Sequence, residues 1–502
     1  MSEQKFEYII VGGGTAGAIT AARLARAGKK VALFEAGPSD EGQAGVLTLR
    51  DWQQMLETEW DYDYTIEPQP HSNGRIRHAR GKVLGGCSSH NSCIAFVPPA
   101  YDMEIWEQRG ATGWGPDGVR SAFEKLLANV HLETAPPVND CGRAFVEAAQ
   151  EAGYPLLDFT ADWNFGRGVG YFALNKKGEI RQSSSVAYLH PLSQWGDELT
   201  IYTGVFVEKI LLDENNRAIG VQTPAGPVYC SHEVIVACGA FDSPKLLLLS
   251  GIGPADHLAE VGVPLRVELP GVGENLLDHP ESVVAWESSQ PVPPDSTQYW
   301  EIGLFDFTRP DLPAPDLMFH FGTQVFDLQA QHYGYPTAAH GFSLTPNVAR
   351  ATSQGTVRLR SADPSAPPRI DFRYYTDPEG EDARVLVEGI KLARRIAEQP
   401  ALRPWIAREL FPGPAIQTDE EILAYALEVA NTVYHPAGTC KMGAADDPTA
   451  VVDPHLRVRG VAGLRVADAA VFPTMIGINP NLTCMMIGER CAELVLSAEC
   501  SE

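Results

Sequence analysis

The chain has 502 residues, too many for one ordinary hydrophobic core, so two or more domains are expected. Hydrophobic residues make up 44% and charged residues 21%, the balance of an ordinary soluble globular protein. The net charge of −25 makes nucleic acid and anionic membrane surfaces poor partners.

The first predicted element is the apolar run Tyr8-Ile9-Ile10-Val11, which ends in Gly12-Gly13-Gly14-Thr15-Ala16-Gly17. An Ala- and Leu-rich helical pattern follows from Thr20 to Ala27 and closes at Gly28. Val31 to Phe34 reads as the next strand, with Glu35 at its end. Strand, Gly-x-Gly-x-x-Gly turn, helix, strand and acid form a dinucleotide-binding unit. Gly12 allows the turn, Gly14 lets backbone approach a pyrophosphate, and Gly17 lets the helix pack on the sheet. The helix N-terminus faces the phosphates, and Glu35 is placed for a ribose 2′-hydroxyl. The unit fits NAD or FAD and does not choose between them.

Residues 41–80 are polar and aromatic, with Trp52, Trp60, Tyr62 and Tyr64. The loop Gly81-Lys82-Val83-Leu84-Gly85-Gly86-Cys87-Ser88-Ser89-His90-Asn91-Ser92 can lie close against a flat group, and His90 is odd there for a core position. Helices are expected over 101–135 and from Asn139 to Gly153, and loop or edge structure over 160–190. Strands are expected over 199–202, 207–212 and 220–222. Glu233 to Ala240 reads as a buried parallel strand whose end approaches a cofactor, followed by a helix from Ser243 to Ser250. The proline-rich stretch 286–316 reads as a boundary. Asp316 to Phe321 and Thr356 to Leu359 alternate like half-buried antiparallel strands. Helices are expected from Asp382 to Gln399, from Thr418 (as N-cap) to Val429, and from Thr483 to Ala498, with a strand at Leu464-Arg465-Val466.

His435 and Asn479 each precede a proline, which holds the backbone extended and exposes the side chain. A histidine near neutrality is suited to accept a hydroxyl proton, and an amide to donate to a forming alkoxide. Glu281 with Trp52 or Tyr434 would suit a quaternary ammonium, which is recognised by an anion and aromatic faces. His279 and His320 read as further pocket groups or structural hydrogen-bonders. The nine cysteines show neither CxxC pairs nor metal-ligand spacing, so no metal site is expected. Cys87, Cys93, Cys230, Cys238, Cys440 and Cys484 read as buried thiols, suiting a reducing compartment. No signal peptide fits before the first strand and no apolar run is long enough to span a membrane, so a cytoplasmic protein is expected.

From Tyr8 to about Ala498 the chain resembles the glucose-methanol-choline (GMC) oxidoreductases. The resemblance rests on the Gly12–Gly17 turn with Glu35, the loop from Gly81 to Asn91, Gly239-Ala240-Phe241-Asp242-Ser243-Pro244 to Gly253-Pro254, and the His435 and Asn479 segments. The pattern is most similar to the choline-oxidising branch, through the stretch from Gly85 to Phe96, Asp278-His279-Pro280-Glu281, Trp300-Glu301-Ile302-Gly303, Asn431 to Pro436, and Asn479-Pro480-Asn481. Three features depart from that branch, one being Cys440-Lys441 in place of the common apolar-basic pair. Val97-Pro98-Pro99 follows Phe96 where a tryptophan is usual, and the region between about 130 and 230 is short. The resemblance implies an α/β (α+β composite) fold. A Rossmann-like FAD-binding domain (1–135, 193–280 and 432–502) carries an inserted substrate domain (136–192 and 281–431) built on an antiparallel sheet flanked by helices.

It further implies FAD bonded covalently to His90, with His435 and Asn479 as the catalytic pair. Glu281, Trp52, His320, Tyr434, Ser92 and Val433 would bind the substrate. The cofactor is expected against Gly12, Gly14, Thr15, Ala16, Gly17, Glu35 and Ala36, and against Gly81, Val83, Gly85, Gly86, Ser89, His90, Asn91 and Ser92. Val207, Ala237, Gly239, Asp468, Ala469, Asn479 and Pro480 complete that wall. The implied reaction is oxidation of a primary alcohol, choline to betaine aldehyde and on to glycine betaine if the aldehyde is retained, with oxygen as acceptor and a homodimer as the assembly. A dehydrogenase using another acceptor, an oxidase of other alcohols and a redox-neutral flavoprotein are the alternatives.

Overall fold

The structure, a computed structural model, describes residues 6–160, 166–194, 197–326 and 328–499. Two sheets organise it. The first has seven strands. Leu199–Thr203, Val31–Glu35, Phe6–Val11 and Gly226–Val236 lie side by side and parallel, and Leu464–Val466 adds in parallel to the far end of Gly226–Val236. The near end of that long strand instead pairs antiparallel with Ala218–Thr223, which pairs with Lys209–Leu212. Helices Gly17–Arg26 and Asn481–Glu499 pack against each other beside it. The parallel strands are continuous apolar runs because both of their faces are covered.

The second sheet is antiparallel. Its order is Ile406–Phe411, Val284–Ser288, Gly341–Val348, Leu317–Gly322, Ile302–Asp306, Gly168–Tyr171. Helix Glu381–Ala397 lies across Gly341–Val348 and Leu317–Gly322. A short strand, Pro280–Glu281, hangs from its edge and pairs with Gly341–Val348 on one side and Asn431–Thr432 on the other. Each sheet has its own buried apolar cluster.

Several expectations shift. The helix expected over 101–135 is two helices, Ala100–Gln108 and Pro116–Asn129, because Gly110, Gly113 and Gly115-Pro116 interrupt it. The stretch 286–316 is no boundary, since strand Val284–Ser288 at its start and strand Ile302–Asp306 within it both belong to the antiparallel sheet. Gly168–Tyr171, expected as loop or edge, is the edge strand beside Ile302–Asp306. Thr418 is the N-cap foreseen, with a capping box to Glu421. No helix among the described residues is long and apolar enough to cross a membrane.

Candidate active site

A cavity of about 710 Å³ runs from the glycine turn, between the sheets, to the strands of the antiparallel sheet. At the first end, Gly12 has φ of +99°, and a Cβ there would stand 2.4 Å from the Ala237 carbonyl oxygen. Gly86 (φ +52°) faces Gly14, where a Cβ would lie 2.7 Å from the Gly14 Cα. Both positions demand glycine, and together they leave bare backbone on the wall. Glu35 is buried and accepts hydrogen bonds from the Gly13 and Gly37 amides (2.9 and 2.7 Å). Burial outweighs those bonds and pushes its carboxyl up to about 7. So Glu35 ties the turn together as well as facing the cavity. Asp468 caps the opposite side, accepting from the Gly239 and Ala470 amides and the Ser243 hydroxyl (2.8, 2.7 and 2.6 Å).

Of the expected cofactor wall, Gly17, Val83, Gly85 and Ser89 do not line the cavity. They brace it from behind. Gly17 packs against Gly12, Val83 lies in a small core with Val46 and Met55, the Gly85 amide donates to Gly13 O, and Ser89 Oγ donates to Leu84 O. All the other expected residues, on both the cofactor and the substrate side, line it. Cys87, Cys238 and Cys484, expected as buried thiols, are only partly buried and also line it.

His90 follows the short 3-10 turn Gly86–Ser89. It is 5% exposed, yet its Nε2 has no hydrogen-bond partner, and Asp61 Oδ2 lies 4.0 Å away. Burial lowers its pKa to about 4, so the ring is neutral. The loop is held by Arg181, which the sequence did not single out. This fully buried guanidinium donates to the carbonyls of Ser88 and Asn91 on either side of His90 (3.3 and 2.7 Å).

At the other end the protonation of His435 follows from its neighbours. His279 Nε2 lies 3.0 Å from Ala349 O and 2.9 Å from Ile476 O, so it carries the proton. Burial keeps the His279 ring neutral, near pKa 4, which leaves its Nδ1 a lone pair. His435 Nδ1, 2.8 Å from that atom, is therefore the N–H donor. Burial also holds the His435 ring well below its ordinary pKa, so its Nε2 is an acceptor. Asn479 Nδ2 lies 3.4 Å from this Nε2 and 3.5 Å from His320 Nε2, while Asn479 Oδ1 is buried without a partner.

Glu281 stands opposite Asn347 in the sheet and accepts from Asn431 Nδ2 at 3.2 Å. It is 5% exposed, and burial pushes its carboxyl up to about 8, against hydrogen bonds from Thr345 and Asn431. Trp52, Tyr434, Trp300 and Phe326 also line the cavity, with Trp300 and Phe326 edge to face at 5.3 Å. Trp300 and Phe326 were not singled out as site residues. Val97, Pro98 and Pro99 are absent from the wall, so that departure does not reshape the cavity surface directly.

The residues present fit a flavin dinucleotide: a close-approach glycine turn at one end, an acid beside it, and a buried imidazole on the wall whose Nε2 has no partner. Comparisons with known proteins agree on a lineage. Family models described as GMC oxidoreductase match residues 6–281 and 351–488. The chain is 48% identical to a choline oxidase of Arthrobacter globiformis, over 100% of this chain and 96% of that protein. It is 35% identical to an oxygen-dependent choline dehydrogenase of Sinorhizobium fredii, over 98% and 96%. Among solved structures, pyridoxine 4-oxidase from Mesorbium loti superposes with a TM-score of 0.89 at 27% identity, covering 97% of this chain and 98% of that one.

Proposed function

The chain belongs to the GMC oxidoreductase family, and from that premise we propose that it is an FAD-dependent oxidase of a primary alcohol carrying a cation, choline being the substrate it fits best. One observation carries the reading. A neutral imidazole whose acceptor Nε2 has the Asn479 amide beside it at 3.4 Å (His435) and a buried carboxyl with no cationic partner among the described residues (Glu281) line the same cavity. The first suits a hydroxyl, the second a quaternary ammonium, and Trp52, Trp300 and Tyr434 add aromatic faces for the latter.

His435 Nε2 takes the hydroxyl proton, and the Asn479 amide donates to the oxygen as charge develops there. His279 keeps the His435 proton on Nδ1 throughout. His320, Ser92 and Val433 shape the pocket around the carbinol carbon. FAD, when bound, supplies the two-electron acceptor for the hydride that leaves that carbon and passes the pair to oxygen, giving peroxide. Gly12, Gly14, Thr15, Ala16 and Glu35 would hold its adenosine and phosphates, and Gly86, His90, Asp468 and Pro480 the region nearer the alcohol. On this reading 1–135, 193–280 and 432–502 form the FAD domain, and 136–192 and 281–431 the substrate domain. The described cysteines are free thiols, which supports a cytoplasmic location; a homodimer rests on the family resemblance alone.

A panel of alcohols scored by peroxide release tests the assignment. Choline should give the fastest release in air. Flavin reduction by choline without peroxide would make the enzyme a dehydrogenase with another acceptor, and no reduction by any alcohol would overturn the reading. We also propose that His90 bonds the flavin, because its neutral Nε2 faces the cavity without a partner. Acid precipitation should leave the yellow colour on the protein, and His90→Ala should release it. Free FAD in the wild-type supernatant would count against the bond.

A further inference from the structure

Behind the cavity wall lies Asp278, a buried carboxylate that does not line the cavity. Its Oδ1 accepts the backbone N–H of His435 at 2.9 Å. Its Oδ2 accepts from the hydroxyls of Tyr374 (2.5 Å) and Thr432 (2.6 Å). The nearest ionisable nitrogen is His78 Nε2 at 3.4 Å. His78 is itself fully buried, its Nδ1 has no partner, and burial holds it neutral. The charge on Asp278 is thus held by neutral donors, with no cation paired to it among the described residues. A buried carboxylate in that state is costly to keep unless its charge is used or its donors are many.

The same carboxylate fixes the local backbone. Tyr434 sits at φ +64°, unusual for a non-glycine residue, and its N–H donates to Thr432 Oγ1 at 2.8 Å. Asp278 grips both sides of that turn, through the Thr432 hydroxyl before it and the His435 amide after it. The turn in turn delivers the His435 ring to His279 and Asn479.

We propose that Asp278 is a positioning residue for alcohol oxidation: it holds His435 by its backbone and supplies the buried negative charge beside which the His435 ring gains a proton. The proposal rests on His435 being the base. As the hydroxyl proton moves to Nε2, the ring becomes a cation with both nitrogens protonated, Nδ1–H still on His279. Facing that ring are His279 and His320, both held neutral by burial, Arg80, whose charge opposes the new one, and Asp278, which alone of these raises the proton affinity of the ring. Asp278 also faces Glu281 and Tyr375, in each case disfavouring a second negative charge.

The test is anaerobic reduction of the FAD-loaded protein by choline, followed across pH by stopped flow. In the wild type the rate rises with pH as His435 becomes neutral. In Asp278→Asn, a near-isostere that removes the charge, the midpoint of that rise should move down by about one pH unit or more, and the plateau should fall by roughly tenfold or more as the base weakens. A lower plateau with an unmoved midpoint, or a wild-type plateau, overturns the proposal. FAD content and thermal midpoint report whether the variant is folded. If it is not, Tyr374→Phe removes a neutral donor and leaves the charge less offset, so the midpoint should move up; no movement overturns the proposal equally. His78→Phe removes a second neutral neighbour of the carboxylate, so the midpoint should not move down; a downward shift there overturns the proposal. His435→Ala separates the two readings: if it keeps the pH-dependent rise, His435 is not the base and the failure lies with that assignment.

Discussion

His435→Ala should bind FAD and fold as the wild type does, yet reduce the flavin with choline about 10²–10³-fold more slowly. The backbone amide that anchors position 435 on Asp278 survives the substitution. Only the imidazole is lost, along with its contacts to His279 and Asn479. Removing one group that stabilises developing charge in a dry site costs about 3–4 kcal/mol of barrier. The pH dependence sharpens the test. Burial, with His279, His320 and Arg80, keeps the ring neutral, so the wild-type rate should be flat across neutral pH and fall only in acid. The variant should lose that acid fall. A reductive rate within a few-fold of wild type would remove His435 from the catalytic pair.

The second large effect is on selectivity. Glu281→Gln keeps the shape and removes the charge. It should raise the Michaelis constant for choline far more than that for 3,3-dimethylbutan-1-ol, the uncharged isostere. With an effective dielectric near 20, the pair contributes about 4 kcal/mol at about 4 Å before desolvation. The free site adds a pH signature. Glu281 is pushed up to about 8, so at neutral pH the carboxyl carries its proton, and a bound cation favours the ionised form. Choline binding should therefore release a proton near pH 7, readable in calorimetry as a dependence on buffer ionisation heat. Choline affinity should strengthen with rising pH until about 8, by up to about tenfold per unit below that. The neutral isostere should show no such rise, and neither should choline on the Glu281→Gln variant. Equal effects on both alcohols would sink the cationic-substrate assignment and leave a general primary-alcohol oxidase.

What the sequence made legible was mostly local. The unit from Phe6 to Glu35 is read from contiguous residues, and its strand, turn, helix and acid lie where expected. The His90 loop and the His435 and Asn479 segments stood out because each pairs a reactive side chain with glycine or proline. The antiparallel sheet was harder. Gly341–Val348 lies at its centre with every residue buried, so it shows no alternation, and Pro346 argues against a strand. The pairing of Pro280–Glu281 with Asn431–Thr432 joins residues about 150 positions apart. Arg181, Trp300 and Phe326 reach the site the same way, through long-range folding. Asp278 and His279 stood in a motif that was noticed, but their roles depend on which nitrogen faces which carbonyl, and no linear pattern records that.

The short ladder of Pro280–Glu281 with Asn431–Thr432 works as a ruler. His279, whose Nδ1 lies against that of His435, and Glu281, proposed above to meet the cation, are two residues apart on one extended segment, a spacing of about 6.8 Å fixed by peptide geometry. The Val433 amide bonded to His279 O continues the ladder to the residue before Tyr434 and His435, so both strands carry one gauge. On the proposed reading, the separation between the hydroxyl end and the charged end of a substrate is thereby set in large part by backbone. Side-chain substitutions can change how strongly either end is gripped, while an inserted or deleted residue in the ladder should change the spacing itself and shift the preferred length of the alcohol.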